Sequence, residues 1–205
     1  LIEALKNNWN GYEWLRDKCL LSPKYGNDDD YADKWARKAS DAWFDEYEKH
    51  HAPHGGIFLG GLFSMTTYTW IGSQTGATPD GRMRCDPLSD AASPTNQADI
   101  SGPTAVHMSV SKIDSLRATN GLIFNMKFNT SAVSTRRELA KWADLVRSYM
   151  LMGGQSVQYT VVDQKALIDA QKHPEKYRDL VVRTGGYSAL FIDLSKEVQD
   201  TIITR

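Results

Sequence analysis

Two adjacent glycines, Gly185 and Gly186, lie in the segment RTGGYSALF (183–191), between an arginine and an apolar, aromatic stretch. Glycine loses more backbone freedom on folding than any other residue, so it is costly inside regular structure. The pair therefore indicates either a tight path of the backbone or special chemistry. For a bare Gly-Gly pair, a β-turn or close backbone packing is the commoner interpretation. The rest of the chain must decide between the two.

Three histidines, His50, His51 and His54, form a second candidate for chemistry. Imidazole is a frequent metal ligand. These histidines follow a predicted helix, beside proline and glycine, and no carboxylate stands at a matching spacing. A solvated helix end is the favoured interpretation.

The acidic run NDDDYAD (27–33) invites a calcium interpretation. It lacks the central glycine and the closing glutamate of an EF-hand loop. Negative charge at the start of a helix is favourable against the helix dipole. We therefore interpret Asp28, Asp29 and Asp30 as helix-start residues.

Several common catalytic motifs are missing. The glycine-rich segment GSQTGATPDGR (72–82) has no Gly-Lys-Ser/Thr, so it is not a P-loop, and there is no Gly-x-Ser-x-Gly elbow. Neither Cys19 nor Cys85 has an adjacent His or Glu to activate it. Cys19 is interpreted as a small residue on a helix, and Cys85 as an incidental loop thiol.

The overall composition is that of an ordinary globular protein. Of 205 residues, 41% are apolar and 24% are charged, and the net charge is −1. Nothing in this balance suggests nucleic acid or an anionic membrane as a partner. No apolar run approaches the ~18 residues of a membrane span. Two cysteines make no disulfide framework, and they favour a reducing, cytoplasmic setting.

Periodicity and turn residues predict an α/β protein, since helices and strands alternate in the second half. The segment 55–105 is dense in turn residues, and its length favours functional loops. Ser134 and Asp163 are predicted caps of two later helices. Six helices are predicted: 1–21 with a weak point at Gly11, 31–49, a short helix at the start of 104–115, one after Ser134, 164–172, and a last one that begins near Asp193 or Ser195. In helix 31–49 one stripe contains Trp35, Ala39, Trp43 and Tyr47. The apolar face of the helix after Ser134 contains Leu139, Trp142, Leu145, Val146 and Tyr149. The predicted strands are 121–129, 156–163, and two that flank the glycine pair.

The glycine pair lies in a more specific context. The segment VVRTGGYSALF, followed by DLSKEVQDTIITR, resembles the C-terminal signature of glycyl radical enzymes, the pyruvate formate-lyase-like superfamily. That signature is an arginine, two small or variable residues, then glycine and an aromatic residue, here Arg183, Thr184, Gly185, Gly186 and Tyr187. Further segments resemble the last third of these enzymes in order, and the resemblance covers essentially the whole chain. These segments are PKYGNDDDYAD, GATPDGR, SGPTA, NGLIFNMKF and DAQKHPEKYRDL.

The resemblance implies part of a ten-stranded α/β barrel that ends in a glycyl radical loop and a helix. It implies that residues 1–135 belong to the catalytic barrel and residues 136–205 to a glycyl radical domain. The radical is expected on Gly186. A Cα radical is stabilised when the amide nitrogen donates and the carbonyl withdraws, and glycine has no Cβ to crowd the flattened centre. Gly185 would let the loop fit, while Tyr187, Leu190 and Phe191 would pack it and exclude water.

The resemblance also implies partners. A radical S-adenosylmethionine activase with an iron–sulfur cluster installs the radical, and the barrel itself needs no metal or organic cofactor. A cysteine on a second loop passes a hydrogen atom to the glycine, and its thiyl radical attacks the substrate. Neither Cys19 nor Cys85 lies in such a loop, so the chain is expected to store the radical for a cysteine outside it. The full enzyme is expected to be a homodimer.

Three interpretations of the whole chain remain open. It begins with Leu1, apparently inside a helix, and ends at Arg205 without a cap, which favours a piece of a longer enzyme. Such an enzyme would be a dehydratase or lyase, an arylacetate decarboxylase, or a synthase that adds hydrocarbons to fumarate. Thr184-Gly185 departs from the Val-Ala or Val-Ser of the commonest members. The alternatives are a stand-alone radical subunit, or spare part, and an unrelated α/β domain.

Overall fold

Twelve helices and strands follow one another in the computed structural model, which describes residues 1–205. The helices are α1 (Ile2–Lys6), α2 (Glu13–Leu20), α3 (Asp30–Tyr47), α4 (Thr67–Ser73), α5 (Pro103–Ser111), α6 (Arg136–Leu151), α7 (Gln164–Lys172) and α8 (Lys196–Thr204). The strands are β1 (Asn125–Phe128), β2 (Gln158–Val161), β3 (Val181–Thr184) and β4 (Tyr187–Leu190). None of the helices combines the length and the apolar character needed to cross a membrane.

The first predicted helix is wrong as one continuous element. Asn8 and Trp9 have φ of 53° and 67°, and Gly11 has φ of 80°, so the backbone leaves the helical region between α1 and α2. Trp9 is buried, and its indole Nε1 donates to the carbonyl oxygen of Arg82 at 3.1 Å. The turn thus inserts Trp9 into the interior instead of leaving it on a helix surface.

Helix α3 begins as predicted. Asp29 is its N-cap, and the Asp29 carboxylate accepts hydrogen bonds from the backbone N–H groups of Tyr31 and Ala32 at 2.9 and 3.3 Å. The tryptophan stripe is not the buried face, because Trp35 and Trp43 are about half exposed. The residues of α3 that are buried are Asp33, Ser40 and Phe44.

Helix α6 has a different cap from the predicted one. Thr135, not Ser134, is the N-cap, and its Oγ1 accepts from the N–H of Glu138 while Glu138 Oε2 accepts from the N–H of Thr135. This reciprocal pair is a capping box, which outcompetes a lone serine one position earlier. On the predicted apolar face, Tyr149 is fully buried but Leu139 is exposed.

Asp163 occupies the predicted N-cap position of α7, but its side chain does not bond the helix N–H groups. Its Oδ1 accepts from Thr130 Oγ1 at 2.8 Å instead. The carboxylate therefore joins the start of α7 to the turn that follows β1.

The four strands form two small sheets. β1 and β2 pair in parallel, with Asn125 opposite Gln158, and β3 and β4 form an antiparallel hairpin, with Arg183 opposite Ser188. Both predicted strands of the first pair are confirmed but are shorter than expected. Thr160 of β2 links the two sheets, because its Oγ1 accepts from the N–H of Arg183 at 3.0 Å.

The buried apolar side chains form two separate clusters. The first lies around α5, β1 and α6 and contains Phe44, Ala92, Val106, Val110, Ala118, Leu122, Phe124, Met126 and Tyr149. The second lies around α7, the hairpin and α8 and contains Val162, Leu167, Ala170, Val182, Phe191, Val198, Ile202 and Ile203. The second cluster positions the hairpin that carries the glycine pair.

A buried carboxylate holds the end of α8. Arg205 Nη2 lies 2.7 Å from Asp90 Oδ2, and the Asp90 side chain also accepts from Ser64 Oγ and Asn125 Nδ2, each at 2.8 Å. Lys127 Nζ donates to the carbonyl oxygens of residues 202 and 203. These cations lie at the C-terminus of α8, where they complement its dipole.

Candidate functional site

The glycine pair forms the two-residue turn of the β3–β4 hairpin. Gly185 has φ of +54° and Gly186 has φ of +95°, while Thr184 and Tyr187 pair on either side of them. Two positive φ values in succession are what a tight hairpin turn of the primed type requires. Because only glycine enters such conformations at low cost, both positions depend on it.

Gly185 is buried against the backbone of another loop. A Cβ atom at Gly185 would lie 2.6 Å from Met65 Cα and 2.9 Å from the Met65 carbonyl carbon. Backbone atoms cannot rotate away as a flexible side chain can. The prediction that Gly185 lets the loop fit therefore has a specific partner, the loop at Met65.

Gly186 has one covered face and one open face. A Cβ atom there would lie 3.2 Å from Ile123 Cδ1 and 3.8 Å from Gln158 Nε2. Gly186 itself is exposed in this chain, as are Tyr187 and Ser188. An added Cβ would therefore press on Ile123, while the glycine as a whole stays exposed in this chain.

The predicted packing residues of the loop divide in two. Phe191 is fully buried in the second cluster, and Leu190 is half-buried. Tyr187 is 38% exposed, so within this chain it does not cover the turn. The expectation that Tyr187 shields the loop from water stays a prediction, since the exposed Tyr187 side chain would need residues outside this chain to complete the cover.

Arg183 bonds directly to the second glycine. Its Nη2 donates to the carbonyl oxygen of Gly186 at 3.3 Å, and its Nη1 donates to Ser188 Oγ at 3.0 Å. Sequence reasoning included Arg183 only as a motif neighbour and missed Ser188. A two-residue turn fixes the hairpin register, so the spacing alone could have placed residue 188 opposite residue 183.

The acidic run does gather carboxylates, together with a lysine. Oxygen atoms of Asp28, Asp30 and Asp33 lie close enough for a shared ion. Lys112 Nζ lies among them, at 2.7 Å from Asp28 Oδ1, 2.8 Å from Asp30 Oδ1 and 2.7 Å from Asp33 Oδ2. The ammonium takes the position that a cation would need, so the cluster is a structural ion-pair network.

The remaining candidates do not converge on one centre. His50 Nε2 lies 2.9 Å from Glu46 Oε1 on the surface, whereas His51 pairs through its backbone with Ile57. Cys19 and Cys85 are free thiols.

A fully buried histidine was not anticipated from the sequence. His107 Nδ1 lies 2.7 Å from the carbonyl oxygen of Pro103, and His107 Nε2 lies 2.7 Å from Tyr159 Oη. A carbonyl only accepts, so Nδ1 carries the proton and Nε2 accepts from the tyrosine hydroxyl. Burial lowers the pKa of His107, opposed by the bond to Pro103. The pair is a neutral polar contact within the first cluster.

Comparison with known proteins shows the family to which the segment with the glycine turn belongs. The model of the family described as "Glycine radical" matches residues 88–192, which include the whole hairpin. This chain belongs to the glycine radical family. A second model, "Pyruvate formate lyase-like", matches residues 1–72.

Relatives of the glycine radical family match along the entire chain. It is 39% identical to a trans-4-hydroxy-L-proline dehydratase of Clostridioides difficile and 38% identical to an isethionate sulfite-lyase of Oleidesulfovibrio alaskensis, over 100% of this chain in each case. The chain spans only 26% and 25% of those relatives, about a quarter of their length.

The fold agrees with this family. A solved B12-independent glycerol dehydratase from Clostridium butyricum superposes with a TM-score of 0.96 and 44% identity, covering 99% of this chain and 26% of that one. The predicted fold class, part of a glycyl radical enzyme of the pyruvate formate-lyase type, is confirmed.

Proposed function

We propose that this chain is the C-terminal, radical-storing part of an anaerobic glycyl radical enzyme, with the radical on Gly186. The observation that carries the proposal is the hairpin turn, inside the glycine radical match, in which Gly186 has φ of +95° and an open outer face. An activating enzyme would reach the Cα hydrogen through this face while the rest of the enzyme leaves it uncovered. The neighbouring Gly185 is held against Met65 and has no such access.

The radical would be made by a separate activating enzyme of the radical S-adenosylmethionine class. Such an enzyme would transfer one hydrogen atom from Gly186 Cα to its S-adenosylmethionine-derived radical, which would leave a carbon-centred radical on Gly186. Gly186 then takes a hydrogen atom from a cysteine outside this chain, and the resulting thiyl radical takes one from the substrate. The chain's own part is to hold the turn rigid, through the second cluster and the contact at Met65.

The proposed reaction class is elimination from a small polar substrate, as a dehydratase or related lyase performs. The names of the similar proteins support this class, since they include two dehydratases and a sulfite-lyase. A decarboxylase relative also exists, 36% identical over 95% of this chain, so decarboxylation is the second candidate.

The open side of the turn is proposed to meet the rest of the enzyme. Met65 and Tyr187 border the turn, and 47% and 38% of their surfaces are exposed. Large apolar side chains beside a buried loop would be less exposed. We propose that the remaining polypeptide covers them, with residues 1–135 as barrel and 136–205 as radical domain. The whole enzyme would work as a homodimer.

The test uses the full-length protein, prepared without oxygen and treated with its activase and S-adenosylmethionine. Electron paramagnetic resonance should show a doublet, because the unpaired electron couples to the one remaining Cα hydrogen. Gly186→Ala should abolish it. Gly153→Ala is the matched control, since Gly153 has φ of +97° and open space around it, so it carries a similar backbone cost outside the turn. A doublet that persists in Gly186→Ala would refute the assignment.

A further inference from the structure

The guanidinium of Arg183 is placed on the carbonyl of the proposed radical residue. Its Nη2 donates to Gly186 O at 3.3 Å, and its Nη1 is held by Ser188 Oγ at 3.0 Å. A guanidinium presents its N–H donors in a fixed planar fork, so fixing one nitrogen orients the other. The bond to Ser188 thus orients the guanidinium, so that Nη2 points at the Gly186 carbonyl oxygen.

The backbone of Arg183 is fixed as well. Its N–H donates to Thr160 Oγ1 at 3.0 Å, and it pairs with Ser188 across the hairpin. Neighbouring Val182 and Thr184 are buried at about 1% exposure. The backbone from which the Arg183 side chain extends is therefore held in place.

An unpaired electron on a glycine Cα spreads onto the amide nitrogen and onto the carbonyl. A positive donor at the carbonyl oxygen stabilises the form in which that oxygen carries negative charge and the unpaired electron lies on the amide nitrogen, so the spin density on Cα falls. Hydrogen bonds from charged donors are about twice as strong as those between neutral groups. A cation bonded to Gly186 O should thus lower the energy of the radical relative to the intact glycine.

We propose that Arg183 is a radical-stabilising residue, which lowers the spin density on Gly186 Cα through its bond to the Gly186 carbonyl oxygen, and that Ser188 positions it. The inference rests on the proposed radical at Gly186. It gives the arginine of the motif a task beyond shaping the turn, and it assigns a role to Ser188.

The experiment compares activated full-length wild-type enzyme with Arg183→Gln, Arg183→Lys and Ser188→Ala. Arg137→Gln is the matched control, because Arg137 is exposed on α6 and far along the chain from the hairpin. The first measurement is the doublet splitting, which is proportional to spin density on Cα. The second is the rate at which added dithiothreitol quenches the radical without oxygen. In that step a thiol S–H bond breaks, a Cα–H bond forms on Gly186, and a thiyl radical remains.

In Arg183→Gln we expect a wider doublet and quenching faster by about threefold, since an exposed charged contact contributes modestly. Arg183→Lys keeps the charge but loses the planar pair of donors. Its splitting and its quenching rate should lie between those of Arg183→Gln and the wild type, and the same is expected of Ser188→Ala. Circular dichroism on each variant separates these effects from misfolding, and Ser188→Ala still tests the inference if an Arg183 variant fails to fold.

Two results would overturn the inference in different ways. A normal doublet in wild type, with unchanged splitting and quenching in both Arg183→Gln and Ser188→Ala, would remove the role of Arg183 and leave Gly186 as the radical site. A wild-type enzyme that gives no doublet, with an activase shown to be competent on another enzyme, would remove the proposed function and this inference with it.

Discussion

Gly185 and Met65 are in such close contact that a single added carbon at Gly185 would lie 2.6 Å from Met65 Cα. The contact joins the hairpin turn to a loop 120 residues earlier in the chain. Because both partners are backbone, neither can yield without moving its whole segment. The position of the turn is thus set by a loop from the part of the chain that lies outside the second cluster.

Gly185→Ala should destabilise the protein more than Gly153→Ala. Alanine with positive φ costs about 1–2 kcal/mol at either site, and the clash with Met65 adds about 1–3 kcal/mol at Gly185 only. Chemical denaturation of the two variants measures the difference. Equal losses would mean that the loop at Met65 moves freely aside.

Lys112→Met should be strongly destabilising. The three carboxylate contacts raise the pKa of Lys112 despite the opposing effect of burial, and removing the ammonium leaves Asp33 buried without its counter-charge. Breaking a buried pair in this way costs about 3–5 kcal/mol. Asp30→Asn is the control, because the Asp30 side chain is 94% exposed and its loss should change the melting temperature little. Matching melting temperatures for the two variants would contradict this account.

Stability should fall with acid through His107. Burial holds the pKa of His107 below its ordinary 6.5, so at slightly acid pH the unfolded chain binds a proton that the folded chain does not. The contribution of neutral His107 to the free energy of unfolding is fully present above pH 6.5. It is lost as the pH falls below that value, by at most about 1.4 kcal/mol per pH unit. Unfolding of wild type and His107→Gln between pH 7 and 5 should show a shallower slope in the variant. Parallel slopes would exclude His107 as the source.

The Asp90–Arg205 pair should be strongly coupled. Arg205→Met leaves Asp90, which is 3% exposed, without its cation and should cost about 3 kcal/mol. Asp90→Asn in the same chain should recover part of that loss, since the uncompensated charge is gone. A double-mutant cycle measures the coupling, and strictly additive losses would show that the two side chains act independently.

Much of the hairpin could be predicted from the sequence, because its determinants are local. Two glycines between apolar runs predict a two-residue turn, and the motif around them indicated the family that the comparisons confirmed. Helix 164–172 was also predicted correctly, since its pattern is strongly periodic. Whether Gly186 is the radical site stays a prediction.

Several wrong predictions arise where residues that are distant in the sequence determine the structure, whereas the missed capping box of Thr135 and Glu138 is local. Trp9 breaks the first helix because its indole finds the carbonyl of Arg82, 73 positions away. The ammonium of Lys112 lies among aspartates some 80 positions earlier in the sequence, and no local sequence pattern predicts this contact. The contact of Gly185 with Met65 is of the same kind. The spacing of residues along the sequence does not predict contacts between such distant pairs.

If oxygen attacks the radical and breaks the backbone at Gly186, the segment after the break should stay bound to the rest of the protein. The segment from Tyr187 onward includes β4 and α8, and it buries Phe191, Val198 and Ile202 in the second cluster. Arg205 and the end of α8 are also held by Asp90 and Lys127. A protein broken there would be nicked rather than shortened. It would keep its size on a native column while its two pieces separate in denaturant, so damage would silence the enzyme without at once marking it as unfolded.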